Sequence, residues 1–273
     1  MKVAAIQMVS STDVGDNLRT AHALLADAAR AGAELAVLPE YFCVMGRRDT
    51  DKLALQETLG KGPIQDWLTA TARELDVWLV GGTLPLSCEP ADPARVRNAS
   101  LAFAPGGERV ACYDKIHLFR FDDGTRVYDE AAVLTAGRTP TLFDLPSRDG
   151  HTWKIGMSVC YDLRFPELYR VYAAQGADLL LVPSAFTYVT GMAHWEVLLR
   201  ARAIENLACV MAAAQGGTHE NGRRTWGHSI VVDAWGQILG ACAEGPGVVL
   251  ADLLPPDVAA RRAQLPALTH RVL

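Results

Sequence analysis

The stretch Lys154-Ile155-Gly156-Met157-Ser158-Val159-Cys160-Tyr161-Asp162-Leu163-Arg164-Phe165-Pro166-Glu167-Leu168 sets an apolar run against a thiol, and a polar turn then leads into a helix-like segment. The run predicts a strand over 154–159, and the segment beyond the turn predicts a helix over 165–175. Cys160 therefore stands at the carboxyl edge of a strand, close to a helix start. Ligands gather outside the carboxyl ends of strands in open α/β sheets, and a helix N-terminus lowers the pKa of a nearby thiol. Both arguments mark Cys160 as a candidate nucleophile.

The same strand and helix alternation extends in both directions. Towards the carboxyl end come a strand over 178–182, a helix over 192–206 and a strand over 207–213. Towards the amino end, 1–8 reads as a first strand. Residues 17–31 carry Leu18, Ala21, Leu24, Leu25 and Ala28 at helical spacing, with Gly32 as a cap. Residues 35–40 read as a buried strand ending on Pro39 and Glu40, 63–75 as a helix with proline in its first turn, and 77–82 as another strand. Between these halves, 98–104 and 109–115 flank the turn Pro105-Gly106-Gly107-Glu108 and predict a β-hairpin that ends at Lys115. The last third, 229–233, 237–242 and 248–251, reads as a second antiparallel set of strands. No composition shift or linker divides the chain, so a single domain over 1–273 is expected, with two sheets covered by helices.

Composition narrows the function. Half of the 273 residues are hydrophobic, enough for a large core. A net charge of −5 with no lysine-arginine block offers no footprint for nucleic acid or an anionic membrane, which leaves a small-molecule partner. The apolar run at the amino terminus is too brief for a secretory segment, and none approaches the roughly 20 residues that cross a bilayer. A cytoplasmic placement is expected. The six cysteines are scattered, with no Cys-x-x-Cys pair and no histidine at zinc-ligand spacing. Cys43, Cys88, Cys112, Cys209 and Cys242 read as reduced packing residues.

Glu40, Lys115 and Cys160 share one feature: each stands where a predicted strand runs out into a loop, and ends of parallel strands in one sheet lie together. Acyl transfer through a thiol needs a base for its proton and a positive charge for the oxyanion, which these residue types supply. By residue type alone, Glu40 reads as a solvated loop carboxylate and Lys115 as a surface lysine.

Their surroundings decide otherwise. Val37-Leu38-Pro39-Glu40, Tyr113-Asp114-Lys115-Ile116-His117-Leu118-Phe119 and Val159-Cys160-Tyr161-Asp162-Leu163-Arg164-Phe165-Pro166-Glu167 resemble, in order, the three catalytic blocks of the nitrilase (carbon-nitrogen hydrolase) superfamily. The likeness continues through Pro183-Ser184-Ala185-Phe186 and 191–205 to Gly227-His228-Ser229. It is strongest for the branch of deaminated glutathione amidases, with omega-amidases as near kin, and Ala213-Ala214-Gln215-Gly216-Gly217-Thr218-His219 favours the former.

The resemblance implies an α/β fold, a four-layer αββα sandwich, assembled into a homodimer or larger homo-oligomer, with no metal or cofactor. It also implies roles. Cys160 attacks an amide carbonyl, Glu40 moves the proton, and Lys115 with the Tyr161 N–H holds the oxyanion. Glu130 corresponds to a further site carboxylate that orients the lysine. Its neighbourhood departs from the family pattern, which places an aspartate where this chain has Arg120 and then Phe121-Asp122-Asp123-Gly124-Thr125-Arg126-Val127-Tyr128. Substrates of the branch carry carboxylates, and Arg164 suits an anion clamp because guanidinium grips a carboxylate bidentately. Its structural alternative is an ion pair with Glu167 or Asp162. Phe186 and Thr190 match pocket positions of the branch.

His117 and His194 read as hydrogen-bonded structural residues, and Trp195 and Trp226 as packing or subunit contacts. Gly81-Gly82 and Gly216-Gly217 lack the setting of a phosphate loop. The expected activity is cleavage of deaminated glutathione to 2-oxoglutarate and cysteinylglycine. The alternatives are an omega-amidase acting on 2-oxoglutaramate, an aliphatic nitrilase, and a non-catalytic member of the fold.

Overall fold

The computed structural model describes residues 1–122, 124 and 127–272. In chain order its elements are β1 (Lys2–Gln7), α1 (Val14–Arg30), β2 (Leu35–Val37), α2 (Pro63–Leu75), β3 (Trp78–Ser87), β4 (Val96–Phe103) and β5 (Arg109–Asp114). There follow β6 (Arg120–Asp122), β7 (Val127–Asp129), β8 (Leu134–Thr135), β9 (Thr141–Pro146), β10 (Thr152–Met157), α3 (Pro166–Ala174), β11 (Leu179–Leu181) and α4 (Tyr188–Asn206). The chain closes with β12 (Cys209–Ala212), β13 (Gly216–Thr218), β14 (Arg224–Trp226), β15 (Ile230–Val232), β16 (Ile238–Ala241), β17 (Gly247–Asp252) and α5 (Pro255–Gln264).

Two sheets carry the molecule. One runs β17-β1-β2-β3-β4-β5, with β8 also on β4, and the other β16-β15-β12-β11-β10-β9. Each has three parallel strands at its centre, β1-β2-β3 and β10-β11-β12, flanked by antiparallel neighbours. Period-2 alternation sorts the side chains of β1. Val3 and Ala5 enter a core shared with Ile155, Leu181 and Met211 of the second sheet. Ala4 and Ile6 face the opposite way and pack with Leu25 and Ala28 of α1 and Leu68 and Ala72 of α2. Tyr169, Tyr172, Trp195 and Leu199 of α3 and α4 join the core of the second sheet. The layers are helix, sheet, sheet, helix, as the resemblance implied.

Two sequence expectations are corrected. The strands of the last third do not form one set: β15 and β16 belong to the second sheet, whereas β17 crosses to pair antiparallel with β1. A period-2 pattern shows that a strand has a buried face but not which sheet it joins. Likewise Glu40, Lys115 and Cys160 do not leave one sheet. Glu40 follows β2 and Lys115 follows β5 in the first, and Cys160 follows β10 in the second. Among the described residues, no helix is long and apolar enough to cross a membrane.

Candidate active site

The turn that carries Glu40 lies against β3. A Cβ on Gly82 would come within 2.0 Å of the Pro39 carbonyl oxygen and 2.2 Å of that of Leu38, so only glycine permits the approach. Tyr41 then takes a left-handed φ of 58°, held by its N–H, which donates to Thr83 Oγ1 at 2.9 Å. Glu40 is 1% exposed. Its Oε1 accepts from Asn98 Nδ2 at 2.8 Å and from Lys115 Nζ at 3.0 Å, and its Oε2 accepts from the Ala185 N–H at 2.9 Å.

Lys115 is equally buried and bridges two carboxylates, with Nζ 3.0 Å from Glu40 Oε1 and 2.8 Å from Glu130 Oε2. Burial works against its charge, but Glu130 and Glu40 together hold its pKa well above the ordinary value. Burial likewise opposes ionisation of Glu130, and Lys115, followed by Lys52, overcomes it and holds that carboxyl below its usual range. Despite the departure between them, Glu130 lies against Lys115. Strands β6 and β7 pair as a hairpin, and the Phe119 and Glu130 backbones bond at its base, which returns Glu130 to the lysine. Glu130 also accepts from the Phe119 N–H at 2.8 Å and the Tyr41 hydroxyl at 3.0 Å. Of the departing segment, residues 123, 125 and 126 lie outside the described residues.

Cys160 opens a 3₁₀ turn, Cys160–Arg164, between β10 and α3. Its own φ is 50°, a strained value for a residue with a side chain, and its N–H is fixed to the Pro183 carbonyl at 3.0 Å. The turn is braced by Asp162, which is fully buried. One of its oxygens accepts from the Val159 N–H at 2.9 Å and the Tyr113 hydroxyl at 2.7 Å. The other accepts from the His117 N–H at 2.9 Å and lies 2.7 Å from His117 Nδ1. The Tyr161 N–H lies in the first turn of this helix, where opening N–H groups lack intrahelical acceptors.

The expected lowering of the Cys160 pKa is not found. Burial, then the Glu40 carboxylate, pushes the thiol well above its ordinary value, and Lys115 offsets this only in part. Placement at a helix start is outweighed by desolvation beside an anion. Cys43 and Cys209 are also raised, each to about 12, by burial, and Cys112 to about 11. Acidity does not set Cys160 apart; the neighbouring carboxylate and ammonium do.

The two carboxylates and the thiol open onto one cleft. Glu40, Glu130 and Cys160 line it together with Tyr161, Phe186 and Thr190, beside Tyr41, Phe119, Ala185 and Thr187. Phe186 packs on Trp195 at 4.9 Å, and Thr190 Oγ1 lies 2.7 Å from Thr187 Oγ1. Arg164 is not among the lining residues. Its guanidinium lies 5.3 Å from the Phe186 ring and 5.8 Å from that of Tyr161, with Nη1 3.2 Å from His194 Nδ1. Neither Glu167 nor Asp162 pairs with it among the described residues. The cation that does line the cleft is Arg223, which sequence reasoning missed because Asn221-Gly222-Arg223-Arg224 reads as a solvated turn. Asp162 was missed as a brace, although its place two residues after the thiol was a usable signal.

His117 is structural, stacked on Phe165 at 3.7 Å, and the Trp195 indole N–H donates to the His228 carbonyl at 2.8 Å. A deaminated glutathione amidase of Synechocystis sp. is 40% identical over 271 residues, covering 98% of this chain and 97% of the relative. Omega-amidase NIT2 of Mus musculus is 34% identical, covering 99% of this chain and 94% of that one. The crystal structure of Saccharomyces cerevisiae Nit3, a member of branch 10 of the nitrilase superfamily, superposes with a TM-score of 0.88 at 30% identity, covering 100% of this chain and 97% of that one. Residues 2–263 match the carbon-nitrogen hydrolase model, and the chain belongs to that family.

Proposed function

We propose that this chain is an amidase that cleaves deaminated glutathione to 2-oxoglutarate and cysteinylglycine through a thioester on Cys160. The observation that carries the reading is Lys115 held between Glu40 and Glu130 at 3.0 and 2.8 Å, the two carboxylates that line one cleft together with Cys160. The substrate follows the 40% identical relative's name.

Cys160 Sγ attacks the amide carbonyl while its proton passes to Glu40. The raised thiol pKa makes that base necessary. The carbonyl oxygen becomes an oxyanion between Lys115 Nζ and the Tyr161 N–H. Collapse breaks the C–N bond, and Glu40 returns the proton to the departing amine. Water then loses a proton to Glu40 as its oxygen bonds the thioester carbon. The C–S bond breaks, the acid leaves, and the proton goes back to Cys160. Glu130 positions the lysine. Phe186, Tyr161 and Thr190 shape the acyl pocket, and Arg164 near the two rings adds positive potential for a carboxylate.

Omega-amidase activity is the second reading, favoured by the 34% identity to NIT2. Side-by-side turnover of deaminated glutathione and 2-oxoglutaramate decides between them. Preference for the former, abolished in Cys160→Ala, supports the deaminated glutathione reading; preference for the latter replaces it. We further assign the chain to one domain, to the cytosol, and to a homodimer or larger homo-oligomer. Val189, Met192, Val197 and Ile204 stand exposed along α4, an apolar face suited to a second copy. A monomer by light scattering would refute that assembly.

A further inference from the structure

Arg223 is the one cationic side chain among the described residues that line the cleft, whose other charged lining groups are the carboxylates of Glu40 and Glu130. An anionic substrate entering there meets two like charges, with Lys115 already shared between them. We propose that Arg223 is the residue that selects substrates bearing an ionised carboxylate, by gripping that carboxylate in the cleft. The proposal deepens the amidase reading and rests on it.

Three observations carry it. First, Arg223 is held in place. It ends the turn between β13 and β14, where its N–H donates to Asn221 Oδ1 at 2.9 Å and its carbonyl accepts from the His219 N–H at 2.8 Å. Asn221 Nδ2 donates in turn to the Gly46 carbonyl at 2.6 Å, and the buried His219 ring sits between the Ser10 carbonyl at 2.9 Å and Thr225 Oγ1 at 2.8 Å. A cation on a pinned turn loses little freedom when it binds. Second, its single carboxylate partner among the described residues is Asp49, through one long contact of 3.4 Å at the exposed rim. A single long contact to the half-exposed Asp49 is weak, so an incoming carboxylate can displace it. Third, guanidinium offers a fork that fits a carboxylate with two parallel bonds. Arg164 does not reach the lining, which leaves direct contact to Arg223.

The experiment compares kcat/KM on 2-oxoglutaramate and deaminated glutathione with that on butyramide, a neutral amide, and follows inhibition by 2-oxoglutarate. In Arg223→Ala the ratio of anionic to neutral turnover falls by about 10- to 100-fold, the range expected for a charge-assisted hydrogen bond, mainly through KM. Inhibition by 2-oxoglutarate weakens in step, and Arg223→Lys recovers part of both. An unchanged ratio and unchanged inhibition overturn the proposal. If the Arg223 variants do not fold, Asp49→Asn decides. Freeing the guanidinium should lower KM for the anionic amides, and an unchanged or raised KM overturns it. Native protein that turns over 2-oxoglutaramate alone refutes the deaminated glutathione reading while leaving the Arg223 ratio measurable. Native turnover of deaminated glutathione with an unchanged ratio refutes only Arg223.

Discussion

Lys115 Nζ stands 3.0 Å from Glu40 Oε1 with both side chains 1% exposed, so the carboxylate and the ammonium stabilise each other's charge before any substrate arrives. Buried charges of this kind persist only when paired and hydrogen-bonded. Glu130 completes the balance on the far side of the ammonium.

Lys115→Met is therefore expected to fail twice. It leaves Glu40 and Glu130 without their shared cation, which costs about 3 to 5 kcal/mol of stability by analogy with broken buried pairs. Loss of the oxyanion donor lowers kcat by about 100- to 1000-fold. Urea unfolding checks the first and steady-state kinetics the second. A variant as stable as the native chain would contradict the pairing.

Glu40→Gln separates chemistry from charge balance. Glu40 accepts from three N–H donors, Asn98, Lys115 and Ala185. A glutamine amide turns one of its two acceptor positions into a donor facing another donor. Acylation of Cys160 should be abolished, read as the absence of a thioester mass after mixing with substrate. A thioester forming at the native rate would remove Glu40 from the role of base.

Because burial and then Glu40 push the Cys160 thiol above its ordinary value, the resting enzyme carries a neutral thiol at neutral pH. The difference in ultraviolet absorbance between the native chain and Cys160→Ala should then lack a thiolate band at pH 7. A band already present there would show a thiolate preformed beside Lys115.

Much of this site was legible in the sequence, and the reasons differ from residue to residue. Lys115 and Glu40 could be singled out because each stands where a predicted strand runs out into a loop, and their partnership was suggested by the three blocks together. The pairing of β17 with β1 could not be read, since alternation marks a buried face but carries no address. Arg223 was hidden because a polar turn has the same composition whether its arginine meets water or a cleft. The Cys160 pKa was misjudged because a helix start is visible in sequence while the depth of burial beside Glu40 is not.

Asp162 braces the Cys160 turn without being placed in the chemistry. Four hydrogen-bonding groups, from Val159, Tyr113 and His117, converge on its two oxygens. Asp162→Ala strands buried donors and should cost about 2 to 4 kcal/mol, with kcat falling more than KM rises as the strained Cys160 turn loosens. Asp162→Asn should recover part of the stability. Equal effects on kcat and KM would argue against a role in holding the turn.

The turn that presents Arg223 is expected to be acid-sensitive through His219. The Ser10 carbonyl can only accept, so Nδ1 carries a proton, and in the neutral ring Nε2 accepts from the Thr225 hydroxyl. Burial depresses the His219 pKa below 6.5, and Arg223 adds to the effect, while the Ser10 bond opposes it. The unfolded chain thus binds a proton that the folded chain refuses. Stability from this site is fully present above about pH 6.5, falls as pH drops below that, and stops falling once the folded ring also protonates. Glu220 on the same turn is held below its ordinary 4.5 by hydrogen bonds from Thr12, so its loss begins in a more acidic range. Glutamine can donate to Ser10 and accept from Thr225 without titrating. Urea midpoints measured between about pH 7.5 and 5.5 should therefore slope less for His219→Gln than for the native chain. Identical slopes would mean that the ring is protonated as readily in the fold as in water.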